Sequence, residues 1–220
     1  MLKKVLSLSV ILILFSLMLF TEASASTASG PTQLFAPAAG NFYNYAPCMV
    51  QTDSTTKYAF YCSNRDSNVI IDYIYWRKGT LSNGAWTWGA ENMAFGPGSG
   101  WESIHVCDPD VLKGQFNYNG HTYSWAMTYL GVDRYDCNHN QIGIAFADSI
   151  EGPWVKFSGN PIIKYGGIDA WGVGQDSMVS INKAGQFKIF YRYTDTSGDY
   201  FKAVNCDFTN ANSYTISTPV

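Results

Sequence analysis

Short runs of apolar and aromatic residues, separated by turn residues, follow one another along most of the chain. Examples are KYAFYCS, HTYSWAMTYL and QFKIFYRYT, which are bounded by Gly, Asn, Asp and Ser. Such runs are typical of short antiparallel strands, and no apolar period of 3.6 residues extends beyond two helical turns. The pattern therefore predicts an all-β chain.

One arrangement of these runs occurs three times. Segments that start at Ala46, Asp108 and Gln175 each contain a small or acidic start, an apolar strand, a polar turn and an aromatic strand. The repeats are spaced by 62 and 67 residues, and a further strand and a closing segment follow each pair. Each unit is predicted to hold roughly four antiparallel strands, as a β-propeller blade does. A β-sandwich of similar strand count is the alternative.

The first 25 residues have the pattern of an export signal. Two lysines precede the apolar run Val5–Phe20, and the sequence A-S-A at 23–25 matches a signal-peptidase site. The apolar run is shorter than the ~20 residues that a membrane span needs. We expect residues 1–25 to be removed, residues 26–220 to form the propeller domain, and the protein to be secreted or held at the cell surface without a membrane anchor.

The composition points to neutral ligands. Charged residues make up 14% of the chain and aromatic residues 16%, whereas an average soluble domain has about 25% charged residues. A net charge of -3 without a basic cluster argues against nucleic acid and anionic membrane surfaces as partners. The chain has no C-x-x-C pair and its three histidines are scattered, so we expect no metal site and no cofactor.

Five cysteines follow the export signal, which permits disulfides, and their odd number leaves at least one thiol free. If Ser54–Thr56 form the loop of the first hairpin, Cys48 lies opposite Cys62 at a separation that a disulfide tolerates. The alternative is a contact between Cys48 and Cys107, on the first strands of adjacent blades. The sequence leaves both pairings open.

Four segments carry a resemblance to a known family. They are CDPDVL, YNGHTYSWAMTYLG, NQIGIAFADSIEGPWVKF and WGVGQDSMVSI. Together they resemble the five-bladed β-propeller glycoside hydrolases of the arabinanase, xylosidase and fructosidase group. The hallmark is S-x-x-G-P-W at 149–154, which closes a blade whose first strand contains P-D-V. The resemblance extends over about residues 41–208 and implies a carbohydrate ligand.

Chain length is the main departure from this family. Five blades need roughly 310 to 330 residues at the observed spacing, so we expect about three blades in these 220 residues. The remaining blades are then either missing from the C-terminal side or supplied by a partner chain. An open arc of three blades exposes sheet faces and edges that favour aggregation.

Glycoside hydrolysis ordinarily uses two carboxyl groups, one as acid and the other as base or nucleophile. In the family that the chain resembles, the base is an Asp before the first-blade Pro, a second Asp tunes the pKa, and a Glu at the start of the third blade is the acid. These positions fall on Ala46, Asp110 and near Gly174. Only Asp110 matches, so Asp108 and Asp176 are the alternative base and acid, although Asp108 also suits a turn cap.

Aromatic and polar residues near the strand starts are the candidates for sugar contacts. Aromatic rings pack on the C–H faces of sugars, and polar side chains bond their hydroxyls. The candidates are Tyr45, Trp101, Glu102, His105, Trp171 and Gln175. Core packing is the alternative for each aromatic residue.

Two functions from different classes follow from these features. One is a secreted glycoside hydrolase-like protein that acts on plant or microbial polysaccharide or oligosaccharide. The other is a carbohydrate-binding propeller that lacks the standard base and acid. The retained D-P-D-V at 108–111 favours the first, and the missing carboxylates at Ala46 and Gly174 favour the second.

Overall fold

The structure, a computed structural model, describes residues 33–220 apart from 39, 67–68 and 211–212. The predicted export signal lies outside the described residues. Ala36–Val220 form one compact unit. Of the other unit, Met1–Phe35, residues 33–35 are described and have no regular secondary structure. Within the described part of the chain, no helix is long and apolar enough to cross a membrane.

The described residues form thirteen β-strands and one 3-10 turn at Gly100–Glu102. The strands are β1 (Asn44–Gln51), β2 (Thr56–Asp66), β3 (Val69–Ser82), β4 (Ala85–Trp88), β5 (Asn92–Phe95), β6 (His105–Tyr118), β7 (His121–Val132), β8 (Gln141–Ala147), β9 (Val155–Lys156), β10 (Val173–Ser180), β11 (Gln186–Asp195), β12 (Gly198–Asn210) and β13 (Ser213–Ile216). The prediction of an all-β chain is confirmed.

The strands make three antiparallel sheets, which we call blades 1 to 3. Their strand orders are β1-β2-β3-β4, β6-β7-β8-β9 and β10-β11-β12-β13. Blade 1 has one strand more than predicted, because the short β5 also pairs with β3. The prediction of three propeller-like units is confirmed, and each unit begins where the sequence repeat places it.

The first strand of every blade carries the same distortion. Ala46, Asp108 and Gln175 have φ angles of 49°, 46° and 50°, and the pairing with the next strand shifts around each of them. A positive φ is uncommon for a residue other than glycine, and a β-bulge changes the direction of side chains and bends the strand. Three separate blades therefore begin with one shared, strained geometry.

The first hairpin differs from its prediction. Its turn begins at Thr52, two residues earlier than expected, and Cys48 therefore pairs with Phe60. Both predicted partners of Cys48 are wrong, because the disulfide joins Cys62 to Cys107 over a Cα–Cα distance of 5.3 Å. Cys48 is a free thiol. The bond fastens β2 of blade 1 to β6 of blade 2.

Apolar cores fill the spaces between neighbouring blades. Phe60, Ile74 and Met127 belong to the core of blades 1 and 2, and Phe146 and Phe187 to the core of blades 2 and 3. These cores hold the three distorted strand starts side by side.

The other face of blade 3 carries exposed apolar side chains. Val179, Phe190 and Phe201 lie on this face by their register, beside Lys188 and Arg192, and Phe201 is 89% exposed. Exposed apolar side chains on a sheet face favour association when they form a large patch. The exposed sheet face predicted for a three-blade arc is therefore present.

Candidate functional site

The three distorted strand starts line one cavity of ≈ 440 Å³, which we call the outer cavity. Its walls are Tyr45, Ala46, Pro47, Asp108, Pro109, Gln175 and Asp176. Every blade contributes the same two structural positions, the left-handed residue and the one after it. The cavity is thus a direct product of the sequence repeat.

A second cavity of ≈ 160 Å³, which we call the inner cavity, shares Tyr45, Asp108 and Gln175 with the outer one. Its remaining walls are Asp72, His105, Cys107, Leu130, Val132, Cys137, Asn140 and Trp171. Because three residues line both spaces, the two cavities are adjacent.

Asp108 lies between the two cavities. Its Oδ2 accepts a hydrogen bond from the Gln175 backbone N–H at 3.3 Å, and its own N–H lies 3.0 Å from Cys62 Sγ. Burial raises the pKa of Asp108, the Gln175 N–H acts against this, and the negative charge of Asp72 raises it further. Asp108 therefore holds its proton more tightly than an ordinary carboxyl group does.

Asp176 is the most strongly perturbed carboxyl group of the site. Both of its oxygens are buried and have no hydrogen-bond partner of normal geometry among the described residues. Burial raises the pKa of Asp176 well above its usual range, and the charges of Asp110 and Asp108 add to this. The nearby Thr128 hydroxyl only partly offsets these effects. Asp176 therefore keeps its proton to a higher pH than an ordinary carboxyl group does.

Asp110 joins the inner strands of all three blades. One of its oxygens accepts from Cys48 Sγ in blade 1 at 3.4 Å, and the other accepts from the Met178 backbone N–H in blade 3. Burial raises its pKa, and these hydrogen bonds oppose the rise. Asp110 does not line either cavity, so its contacts are those of a residue that positions strands.

Asp72, on β3, is the centre of a network that the sequence analysis missed. Its two oxygens accept hydrogen bonds from the hydroxyls of Tyr43 and Tyr45, and His105 Nδ1 lies 3.2 Å from Oδ2. Burial raises the pKa of Asp72, but the adjacent His105 ring and the hydrogen bonds from Tyr43 and Tyr45 outweigh burial and lower this pKa. An ionised carboxylate thus lies in the wall of the inner cavity.

Four of the six predicted sugar-contact residues line the cavities. Tyr45 and Gln175 line both, and His105 and Trp171 line the inner one.

The other two predicted residues lie elsewhere. Trp101 packs on Tyr129 with a ring-centroid distance of 5.8 Å, and Glu102 makes a 2.9 Å ion pair with Lys156. Core packing, the alternative given for Trp101, describes its environment. Trp101 lies in the 3-10 turn Gly100–Glu102, and β6 begins only at His105.

The missed residues had weak sequence signals. Asp72 is a lone acid inside the apolar run VIIDYIYW, and Asn140 directly precedes the strand QIGIAFA. A single polar residue in a buried strand is a signal of a specific partner, because its burial is costly without one. Which partner it meets depends on contacts between blades, and these are not local in sequence.

One group of possible metal ligands occurs in the described residues, namely Cys62, Cys107 and Asp108. The two sulfurs are bonded to each other. A metal binds cysteine as the thiolate, and the sulfurs of a disulfide are not thiolates. With the Cys62–Cys107 bond formed, the two cysteines are therefore not metal ligands.

Comparison with known proteins identifies the fold. No family model and no curated protein matches the sequence. A thermostable family-43 glycoside hydrolase superposes with a TM-score of 0.61 at 21% identity, covering 85% of this chain and 61% of that one. A family 117 glycoside hydrolase produced by the marine bacterium Zobellia galactanivorans gives 0.59 at 16% identity, covering 83% and 58%.

An endo-1,4-beta-xylanase from Bacteroides thetaiotaomicron gives a TM-score of 0.57 at 19% identity, covering 80% of this chain and 60% of that one. The chain therefore has the fold of the five-bladed β-propeller glycoside hydrolases, as the sequence resemblance predicted, and it contains three blades of that fold. It spans about three fifths of the length of these structures.

Proposed function

We propose that this chain forms the sugar-binding and acid–base face of a secreted glycoside hydrolase that acts on plant or microbial polysaccharide or oligosaccharide. The observation that carries the proposal is that Asp108 and Asp176, from neighbouring blades, line one cavity in differently perturbed environments. Titratable groups whose surroundings separate their pKa values are the usual signature of an acid and base pair. The glycosidase fold supports the same conclusion.

In this proposal Asp176 is the general acid. Burial and neighbouring negative charge raise its pKa and so favour its protonated form, and the leaving glycosidic oxygen takes that proton as the C–O bond breaks. Asp108 acts in its ionised form, as a base toward water or as a nucleophile toward the anomeric carbon. Its pKa is raised less strongly, so it ionises before Asp176 does.

Asp110 has a supporting role. Its hydrogen bonds to Cys48 and to the Met178 N–H fix the inner strands of blades 1 and 3 against blade 2. Its negative charge also helps to keep Asp176 protonated. This agrees with the family position that Asp110 matches, which tunes the pKa of another group.

Secretion is part of the proposal. The export-signal pattern of residues 1–25 supports it, and so does the Cys62–Cys107 disulfide. Disulfides persist in oxidising compartments such as the extracellular space and are rare in the cytosol.

A carbohydrate-binding propeller without hydrolytic activity is the second candidate. One observation favours it: Ala46, which has no ionisable group, occupies in blade 1 the position that Asp108 occupies in blade 2. In the family that the chain resembles, this first-blade position holds the base. A protein of this kind retains the cavities and binds sugar without cleaving it.

Chromogenic arabinofuranosides, xylosides and fructosides, given to the purified protein, separate the two candidates. We expect hydrolysis of at least one substrate, with kcat/KM reduced at least about 100-fold in both Asp108→Asn and Asp176→Asn, since each removes a proton-transfer group. Asp148→Asn, an exposed aspartate of blade 2, is the matched control and retains activity. Equal background rates in wild type and both variants, together with retardation in a polysaccharide affinity gel, establish the binding candidate instead.

A further inference from the structure

The disulfide contacts the proposed base through both of its sulfurs. Cys107 Sγ lies 3.3 Å from Asp108 Oδ1, and the Asp108 backbone N–H lies 3.0 Å from Cys62 Sγ. The two sulfurs and a carboxylate oxygen of Asp108 all lie within 4.8 Å of one another. The redox state of this one bond therefore changes the immediate surroundings of Asp108.

Reduction turns the same three groups into a set of metal ligands. Two electrons and two protons from a dithiol, which itself becomes a disulfide, convert the Cys62–Cys107 bond into two thiols. Zinc binds thiolate sulfur at about 2.3 Å, so the two sulfurs of a tetrahedral site lie about 3.8 Å apart. Rotation about the Cα–Cβ bonds reaches this separation, because the two Cα atoms are only 5.3 Å apart.

The inner cavity gives an ion access to this group. Cys107 and Asp108 both line the cavity, and the described residues around it include Asp72 but no lysine or arginine. A divalent cation is therefore attracted by carboxylates and meets no positive side chain in the wall. Two thiolates select zinc over magnesium or calcium, and a water molecule from the cavity can complete the tetrahedron.

We propose that reduction of the Cys62–Cys107 bond creates a zinc site formed by Cys62, Cys107 and Asp108, and that zinc bound there takes Asp108 out of the acid–base pair. Binding releases the two thiol protons, and the Asp108 carboxylate gives an electron pair to the metal instead of to a proton. The effect on catalysis rests on the proposed function, whereas the zinc site itself does not. The bond thus acts as a redox control of Asp108.

Zinc binding is compared between two forms of the purified full chain. One form keeps the disulfide, and the other is reduced with dithiothreitol, which is then removed under nitrogen. We expect equilibrium dialysis to show one more zinc ion per chain in the reduced form than in the oxidised form. Any zinc held elsewhere on the surface contributes equally to both forms. Equal zinc binding by the two forms overturns the proposal.

Variants identify the ligands. Cys62→Ser removes a thiolate and Asp108→Asn removes the carboxylate. We expect each to weaken zinc binding by the reduced form at least about tenfold, since loss of even an outer-shell partner typically costs roughly 10–100-fold. Cys137→Ser is the matched control, because Cys137 is a free thiol that lines the same cavity, and it retains full affinity. Binding that survives Cys62→Ser, or that is lost in Cys137→Ser, overturns the assignment.

Thermal unfolding provides a second measurement that does not depend on the variants. A ligand that binds the folded state raises its unfolding temperature. Zinc is therefore expected to raise the unfolding temperature of the reduced wild type and to leave that of the oxidised wild type unchanged. Reduced protein that zinc does not stabilise overturns the proposal, whether or not the variants fold.

Hydrolysis separates this inference from the proposed function. On any chromogenic substrate that the oxidised protein cleaves, we expect zinc to lower kcat/KM of the reduced form at least about 100-fold, as loss of a proton-transfer group does. A chelator restores the rate, and the oxidised form is unaffected by zinc. Zinc bound by the reduced form without loss of activity overturns the effect on Asp108. Absence of hydrolysis in either form refutes the hydrolase proposal, and the dialysis result still decides the zinc site.

Discussion

At the scale of single residues, the chemistry depends on how two aspartates are buried. Asp108 keeps one backbone hydrogen bond to its carboxylate, whereas Asp176 keeps none of normal geometry. A buried carboxylate without donors favours its neutral form. The difference in pKa between Asp108 and Asp176, which we propose as base and acid, therefore follows from one backbone N–H group, from the depth of burial and from neighbouring carboxylates.

The raised pKa of Asp176 predicts a pH-dependent cost to stability. The folded state holds this proton above the pKa of the unfolded chain, so stability declines as pH rises beyond about 4 and toward the folded pKa. An asparagine side chain does not ionise, so an Asp176→Asn variant does not lose stability in this way as pH rises. We expect Asp176→Asn to unfold at a temperature higher by at least about 2 °C at pH 7 and to match the wild type below pH 4, as measured by calorimetry. A difference that does not vary with pH contradicts this account of Asp176.

The two raised pKa values also predict the shape of the activity profile. The rate rises with pH as Asp108 ionises and falls as Asp176 loses its proton. We expect a bell-shaped dependence of kcat/KM on pH, with the acid limb above the usual aspartate range. A profile that stays flat between pH 4 and pH 8 argues against this pair.

At the scale of elements, the bulge at the start of each inner strand creates the site. It occurs at Ala46, Asp108 and Gln175 alike, and Asp110 bridges the blades two residues after the second of these. The sequence repeat predicted the equivalence of these positions. It did not predict the bulge, because neither Ala nor Gln is a usual residue for a positive φ.

Asp110 offers a test of this bridge. Asp110→Ala leaves the buried Met178 N–H without its acceptor, so we expect the free energy of unfolding to fall by about 1–3 kcal/mol, measured by urea denaturation. Asp110→Asn keeps one accepting oxygen and loses less. If the alanine variant is as stable as the wild type, Asp110 does not hold the blades together.

At the scale of the whole molecule, the order of the blades was predictable and the links between them were not. Local patterns identified the strands and the repeat, since these depend on neighbours in sequence. The Cys62–Cys107 bond joins β2 to β6, and the contact of Asp72 with His105 joins β3 to β6. Strand β6 belongs to another blade, so these contacts form only when the blades pack. A two-residue error in the first hairpin was enough to misplace the disulfide.

The disulfide is predicted to stabilise the pair of blades that it connects. We expect the Cys62→Ala/Cys107→Ala double variant to lose about 2–4 kcal/mol of unfolding free energy, as is typical for a loop of this size, in urea titrations. Cys137→Ala, which removes an exposed free thiol, is the control and stays close to the wild type. Wild-type protein that is equally stable in the presence and absence of a reductant contradicts the bond.

The central claim is that a sugar binds where the three inner strands begin. The most direct test is a crystal structure of the Asp176→Asn variant soaked with xylotriose or arabinotriose. Our account predicts sugar density between Tyr45, Asp108 and Gln175, where the two cavities share their walls. A trisaccharide ordered on another surface, with both cavities empty, contradicts it.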